Sequence, residues 1–364
     1  MTNSVIFSRR STEWQKNWKS VLKMKTRRIR SSHAICALFL LVLLAGGCAK
    51  RDLGPSIFGS AGPSPVAETK DFVIVIAGSG DSLRSLARRF LGDEYKFWVI
   101  ADFNKISRVM PGQEIVIPLK DLNPVGVYSN GYQTVPILCY HRFGNKNAKL
   151  NISARTFDKQ MAFLHDNGYR VVTLAALIPF LEGQKALPRR AVVITIDDGY
   201  KSVYTVAYPI LKKYGFPATL FVYNDFIGAR AGLNWPEMKE MVDSGLIDIQ
   251  AHSWSHSNLA LRKINEDVAG YRNRVWQEVF APTQQIRKHL VLPLHSFAYP
   301  YGDTNDLVIE HLKELDYSLG VSVQRGGNPS FEYPFMLRRT MVLNNYDMKT
   351  FRAILKVFKK ASLK

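Results

Sequence analysis

The chain has 364 residues, of which 46% are hydrophobic and 22% are charged. This composition excludes a disordered chain and leaves room for one large domain with a buried core and a second, small one. The formal net charge of +19 favours an anionic envelope surface or acidic glycan as a partner, or a basic surface that is only solvated; the scattered Lys and Arg argue against nucleic acid.

A basic leader opens the chain, with nine Lys or Arg and one acid in residues 1–33. The apolar run Ala34–Ala45 follows, and it is shorter than the roughly 20 residues that cross a bilayer. This pattern predicts a secretory signal over residues 1–47, with Met24 as a second candidate start and an uncleaved membrane anchor as the alternative. The small residues before Cys48 resemble a bacterial lipoprotein signal. The resemblance implies an exported protein, attached to the cell envelope through lipidated Cys48 and facing the periplasm or the cell surface.

A tether and a small unit follow. Residues 48–70 are rich in Gly, Pro and Ser, which is typical of a lipid anchor with a flexible tether. Residues 71–119 contain a strand, a helix that Ser82 can cap, a second helix and a closing strand. The stretches GDSLRSLARRF and PGQEIVIP, with Asn104 between them, resemble a LysM module. The resemblance implies binding of glycans that contain N-acetylglucosamine; a structural unit without a ligand is the alternative.

The remainder of the chain alternates strands with helices. Residues 120–133 have the composition of a linker. Over residues 134–345, apolar runs alternate with helical segments, which predicts parallel strands with crossover helices and about seven strands, enough to close a barrel. Active residues are then expected at the carboxyl ends of the strands. Residues 346–364 are predicted to form a basic helix or tail.

Polar clusters follow three of the predicted strands, and they read DDGY, HSWSH and YPYG. The strand AVVIT runs into Asp197, Asp198 and Gly199, and adjacent carboxylates share one site only where a strand stops and the chain turns. His252 and His256 have the spacing of two ligands of zinc or a similar ion. Each signal is weak alone, because Asp residues in turns and hydrogen-bonded His pairs are common. Their joint occurrence at strand ends indicates a metal site.

In this order and spacing, TIDDG, HSWSH and FAYPYG resemble the NodB-type polysaccharide deacetylases. The resemblance covers residues 134–345 and implies a distorted (β/α) barrel with metal-dependent removal of N-acetyl groups from sugars. It implies that Asp198, His252 and His256 hold a divalent metal, zinc first and cobalt, nickel or iron as alternatives. It makes Asp197 the general base.

The same resemblance suggests the remaining catalytic groups. The backbone N–H of Tyr301 would face the oxyanion. The stretch VPILCYHRF resembles the poly-N-acetylglucosamine deacetylase subgroup, which makes His141 the candidate acid; a histidine held only by hydrogen bonds is the alternative. Ala298 stands where many members have an arginine that orients the base, so Arg338 or Arg339 is a candidate to supply this charge, with a structural salt bridge equally open.

These expectations combine into one prediction. The chain is expected to be an envelope enzyme whose LysM module holds a glycan, peptidoglycan or poly-N-acetylglucosamine, while the barrel releases acetate from it. One alternative is a glycan-binding lipoprotein with a degenerate barrel. Another is a different metal-dependent hydrolase, for example one that acts on esters.

Overall fold

The computed structural model describes residues 65–120, 123–145 and 147–361. These residues belong to one compact unit, Ala61–Lys364. The expected signal, the alternative start at Met24 and the lipidation site at Cys48 lie outside them. Within the described ranges, no helix combines the length and the hydropathy that crossing a bilayer requires.

The first part is a three-stranded antiparallel sheet with two helices. Ser82 caps the first helix as predicted, because its hydroxyl accepts a hydrogen bond from the N–H of Ser85 at 3.1 Å. Asn104 at the end of the second helix holds the last strand: its amide exchanges two hydrogen bonds with the backbone of Val116, at 2.7 and 2.9 Å. The predicted order of strand, helix, helix and strand is therefore present, with one more strand before it. The elements are β1 (Pro65–Glu68), β2 (Phe72–Ile76), α1 (Leu83–Leu91), α2 (Phe97–Asn104) and β3 (Glu114–Pro118).

The rest of the described chain alternates strands with helices. The elements are β4 (Val127–Tyr128), β5 (Gly131–Gln133), β6 (Val135–Tyr140), β7 (Arg142–Phe143), β8 (Asn151–Ile152), α3 (Ala154–Asp166), β9 (Arg170–Val171), α4 (Leu177–Leu181), β10 (Ala191–Ile196), α5 (Tyr208–Tyr214), β11 (Ala218–Val222), α6 (Trp235–Asp243), β12 (Ile247–Ala251), α7 (Val268–Leu290), β13 (Ser296–Ala298), α8 (Asp306–Glu314), β14 (Leu319–Val321), β15 (Gly327–Asn328), β16 (Thr340–Met341), α9 (Met348–Ile354) and β17 (Phe358–Lys360).

A path of seven strands forms the main sheet, in the order β14-β13-β12-β11-β10-β6-β15. All neighbours along it are parallel except β15, which is antiparallel to β6. Strands β6 and β10 are buried at every position, as expected when both faces of a parallel sheet are covered. The predicted α/β fold, a distorted barrel of about seven strands, is confirmed. The carboxyl ends of the parallel strands lie at one edge of the sheet, and the candidate functional site is at that edge.

Three segments outside the barrel contain more regular structure than expected. The tether expected over residues 48–70 contains β1 in its described part, residues 65–70. The linker expected over residues 120–133 contains β4 and β5, and the helix or tail expected over residues 346–364 contains α9 and β17. Strand β17 pairs antiparallel with β5, and β5 pairs with β4. At two or three residues each, β4, β5 and β17 are too short for a period-2 pattern to reveal them in the sequence.

Candidate metal site and catalytic residues

The chain turns sharply where β10 ends. Asp197 follows the strand and is buried, and Asp198 and Gly199 both have left-handed φ angles, 77° and 74°. A Cβ added to Gly199 would lie 3.0 Å from Cγ1 of Val222, so a side chain here would be both strained and crowded. This turn brings two adjacent carboxylates to the same end of the sheet.

The two histidines follow β12, the second neighbour of β10 in the sheet. His252 is buried, and its Nδ1 lies 2.7 Å from the carbonyl oxygen of Ala298. A carbonyl oxygen only accepts, so Nδ1 carries a proton, and in the neutral imidazole Nε2 has the lone pair that can bind a metal. His256 lies between the rings of Tyr223 and Tyr301, with centroid distances of 5.1 and 4.9 Å. Both imidazoles therefore have fixed surroundings.

The ligand atoms of Asp198, His252 and His256 lie within 4.8 Å of one another. Oδ1 of Asp198 is 3.6 Å from Nε2 of His252 and 3.4 Å from Nε2 of His256. Ligands about 2.1 Å from a tetrahedral ion are roughly 3.4 Å apart, so this spacing fits zinc. The same Oδ1 is buried without a hydrogen-bond partner among the described residues. The three side chains therefore fit a divalent cation.

The charge state of Asp198 also suits a metal ligand. Burial alone would raise the pKa of Asp198, but the imidazoles of His252 and His256 hold that pKa far below its ordinary value. The carboxylate is thus ionised, as a metal ligand must be.

Asp197 forms a buried ion pair with Arg339. Nη1 and Nη2 of Arg339 donate to Oδ1 and Oδ2 of Asp197, both at 2.7 Å. Burial alone would raise the pKa of Asp197; the Arg339 guanidinium is the main cause that lowers it instead. Of the two candidate arginines, only Arg339 reaches this carboxylate, because Arg338 pairs with Glu332 at 3.4 Å.

His141 directly follows β6 and lies near the same carboxylate. One ring nitrogen of His141 lies within 4.8 Å of both Sγ of Cys139 and a carboxylate oxygen of Asp197, and these two atoms are equally close to each other. Burial lowers the pKa of His141, and its Nδ1 is buried without a hydrogen-bond partner in the part of the chain that the structure describes. Cys139 was not predicted as a neighbour of the site, although it is two residues before His141 and alternate residues of a strand share a face.

Tyr301 lies in the turn after β13. Its φ of 61° is left-handed, which is rare for a residue with a side chain and persists only where neighbours hold it. The N–H of Gly302 donates to the carbonyl oxygen of Tyr299 at 2.8 Å and closes this turn. The ring of Tyr301 is 62% exposed and meets His256 edge-on. Tyr301 therefore borders the site on its solvent side.

Comparison with known proteins adds relatives of named activity. Residues 184–320 match the profile of the family described as Polysaccharide deacetylase. YxkH of Bacillus subtilis (strain 168), described as a candidate polysaccharide deacetylase, is 30% identical over 62% of this chain and 77% of its own length. The Escherichia coli (strain K12) poly-beta-1,6-N-acetyl-D-glucosamine N-deacetylase is 26% identical over 56% of this chain. The chain spans only about a third of that relative, 35% of its length.

Solved structures show the same fold. The Streptococcus pyogenes deacetylase PplD in complex with acetate is 27% identical, with a TM-score of 0.56 over 61% of this chain and 98% of its own. IcaB from Ammonifex degensii is 28% identical, with a TM-score of 0.55 over 62% of this chain and 97% of its own. The likeness thus spans nearly all of each solved chain.

Proposed function

The chain belongs to the polysaccharide deacetylase family, and on that premise we propose that it removes N-acetyl groups from a polysaccharide containing N-acetylglucosamine. The observation that carries this proposal is the convergence of Asp198, His252 and His256 beside the buried, ionised Asp197. Relatives named as poly-beta-1,6-N-acetyl-D-glucosamine N-deacetylases support the substrate class.

We assign the metal to Asp198, His252 and His256. Two imidazoles and one carboxylate at this spacing favour zinc, and cobalt, nickel or iron also accept such ligands. When bound, the cation supplies Lewis-acid polarisation of the acetyl carbonyl and lowers the pKa of a water molecule. His252 is the better preorganised imidazole, because the Ala298 carbonyl fixes its tautomer.

Asp197 serves as the general base. It is ionised, and its Oδ1, which accepts from Nη1 of Arg339, keeps a second lone pair for a proton from water. Its Oδ2 accepts from both Nη2 of Arg339 and Sγ of Cys139. Arg339 also donates to the carbonyl oxygen of Ser322 at 2.9 Å, which fixes the guanidinium. The arginine therefore both orients the base and keeps it charged.

His141 serves as the general acid for the leaving amine. One ring nitrogen of His141 lies within 4.8 Å of a carboxylate oxygen of Asp197. The proton that Asp197 takes from water therefore has a short path to the imidazole. The carboxylates of Asp197 and Asp198 partly offset the effect of burial, which still leaves the pKa of His141 below its ordinary value. They would stabilise the imidazolium that protonates the amine. The backbone N–H of Tyr301 is assigned to the oxyanion.

The cellular setting is part of the same proposal. The glycan is peptidoglycan or poly-N-acetylglucosamine of the cell envelope or the extracellular matrix. Residues 71–119, which resemble a LysM module, hold the glycan. Lipidated Cys48 attaches the exported protein to a membrane of the envelope. The exposed Tyr301 ring at the mouth of the site suits a sugar substrate, because aromatic faces offer large contact areas.

Acetate release tests the proposal. Purified protein is incubated with poly-β-1,6-N-acetylglucosamine, with peptidoglycan and with an acetylated sugar ester, and free acetate is measured. We expect release from at least one N-acetylated polymer and none from Asp197→Asn. Full activity in Asp197→Asn would refute the base assignment. Glycan binding without acetate release would favour a degenerate barrel, and release from the ester alone would favour an esterase.

A further inference from the structure

A buried carboxylate that is not a candidate ligand holds the segment between the two histidines. Glu278 on α7 is only 8% exposed. Its Oε2 accepts hydrogen bonds from the backbone N–H groups of Trp254 and Ser255, at 3.0 and 2.9 Å. The Trp254 N–H is shared with the backbone carbonyl oxygen of Glu278, at 3.0 Å. Its Oε1 accepts from the hydroxyls of Ser255 and Ser257, the latter at 3.2 Å. All four donors therefore belong to residues 254–257.

The backbone of this segment is strained. Ser253 and His256 have left-handed φ angles of 70° and 58°. A non-glycine residue in such a conformation costs about 1–3 kcal/mol and persists only where surrounding contacts hold it. Ser253 Oγ accepts from the N–H of His256 at 2.9 Å and closes the turn from within. Glu278 is the charged group that holds the turn from outside, and charge-assisted hydrogen bonds are the strong ones.

We propose that Glu278 is a positioning residue for the metal site. It fixes residues 253–257 in the turn that places Nε2 of His256 3.4 Å from Oδ1 of Asp198. His252 does not depend on Glu278 in this way, because the Ala298 carbonyl holds its ring. The inference rests on the proposed function, since it takes the two histidines and Asp198 as metal ligands.

Three variants separate positioning from general stability. Glu278→Leu keeps the approximate volume and removes all four hydrogen bonds. Glu278→Gln keeps an oxygen for the two backbone donors and an NH₂ for the two hydroxyl oxygens, but loses the charge. Thr283→Val is the matched control, because Thr283 is buried on the same helix. Its hydroxyl forms hydrogen bonds with the carbonyl oxygen of Val279 and the hydroxyl of Tyr317, and neither partner is a residue of the metal site.

The readouts are the Zn²⁺ dissociation constant, by competition with a chromophoric chelator, the visible spectrum of the Co²⁺ form and the melting temperature of the metal-free protein. We expect Glu278→Leu to raise the dissociation constant roughly 10- to 100-fold, as for other groups that orient metal ligands, and to change the Co²⁺ spectrum. Glu278→Gln should raise the Zn²⁺ dissociation constant about threefold or more, because the charge is lost. Thr283→Val should lower the melting temperature and leave the dissociation constant unchanged.

Three results would overturn the inference. One is a Glu278→Leu dissociation constant equal to that of the wild type. If Glu278→Leu does not fold, an unchanged constant in Glu278→Gln has the same meaning. Another is an equal loss of affinity in Thr283→Val, which would make the effect one of stability. A wild-type protein without Zn²⁺ affinity would overturn the proposed function as well, so the two failures are distinguishable.

Discussion

Replacing Arg339 with methionine removes the buried cation beside the proposed base. Arg339 is fully buried and donates to both oxygens of Asp197 at 2.7 Å. Removing one partner of a buried ion pair leaves the other charge uncompensated and costs about 3–5 kcal/mol. At about 2 °C per kcal/mol for a large domain, we expect the melting temperature of Arg339→Met to fall by roughly 6–10 °C.

A double-mutant cycle shows whether that loss belongs to the pair. Asp197→Leu and the double variant Asp197→Leu/Arg339→Met complete the cycle, and thermal unfolding of all four proteins is measured without metal. We expect the double variant to be more stable than the two single losses predict, by about 1 kcal/mol or more, because it leaves no buried charge unpaired. Additive losses would contradict the ion-pair account.

The same substitution should shift the pH dependence of acetate release. Burial alone raises the pKa of Asp197 and Arg339 is the main cause that lowers it, so Arg339→Met raises that pKa. The base works when ionised, so the acidic limb of activity should move to higher pH. In the wild type, the depressed pKa stabilises the fold above the unfolded value of about 3.9, and this stability is lost as pH falls through the folded pKa. The stability difference between the two proteins should therefore narrow in acid. An unmoved acidic limb would contradict this role of Arg339.

Three further outcomes follow from the site and its turn. Treatment with a chelator should abolish acetate release, and added Zn²⁺ or Co²⁺ should restore it; undiminished release from metal-free protein would contradict a metal role. His141→Ala should reduce release from N-acetylated sugars far more than from an activated acetate ester, whose leaving group needs no proton; equal losses would argue against an acid. Gly199→Ala should destabilise the protein by about 1–2 kcal/mol for its left-handed φ, plus a term for crowding against Val222. Gly228→Ala is the control, because Gly228 also has a left-handed φ but an added Cβ there would meet no other atom. Thermal unfolding compares the two variants, and equal losses of stability would mean that the crowding at Gly199 has no cost.

The positions of the candidate ligands were predictable because strands are readable in this sequence. Apolar runs end just before Asp198 and His252, and parallel strands bring their carboxyl ends to one edge of the sheet. His256 was predictable from its spacing to His252. The structure brings these three residues together as expected, although they come from separate parts of the chain.

Side-chain directions were harder to predict. Arg338 and Arg339 are adjacent, and alternation along an extended chain sends neighbours to opposite sides. Without the register of β16 against β6, nothing in the sequence selects between them. In the structure, Arg339 points to Asp197 and Arg338 to Glu332. The choice between the two arginines therefore depends on tertiary packing.

Two other long-range contacts could not be predicted from the sequence. Glu278 occupies a position of α7 with no local pattern that marks it, and its partners belong to the turn before that helix. Strand β17, at the C-terminal end of the described chain, pairs with β5, which comes before the barrel. Both contacts depend on how the elements pack, and a composition typical of turns or exposed helices hides them.

The most direct test is an anomalous difference map from a crystal of the protein grown with Zn²⁺, with data collected on both sides of the zinc absorption edge. We expect one strong peak bounded by Oδ1 of Asp198 and the Nε2 atoms of His252 and His256, about 2.0–2.2 Å from each. A peak at other residues only, or no peak among these three side chains, would contradict this prediction.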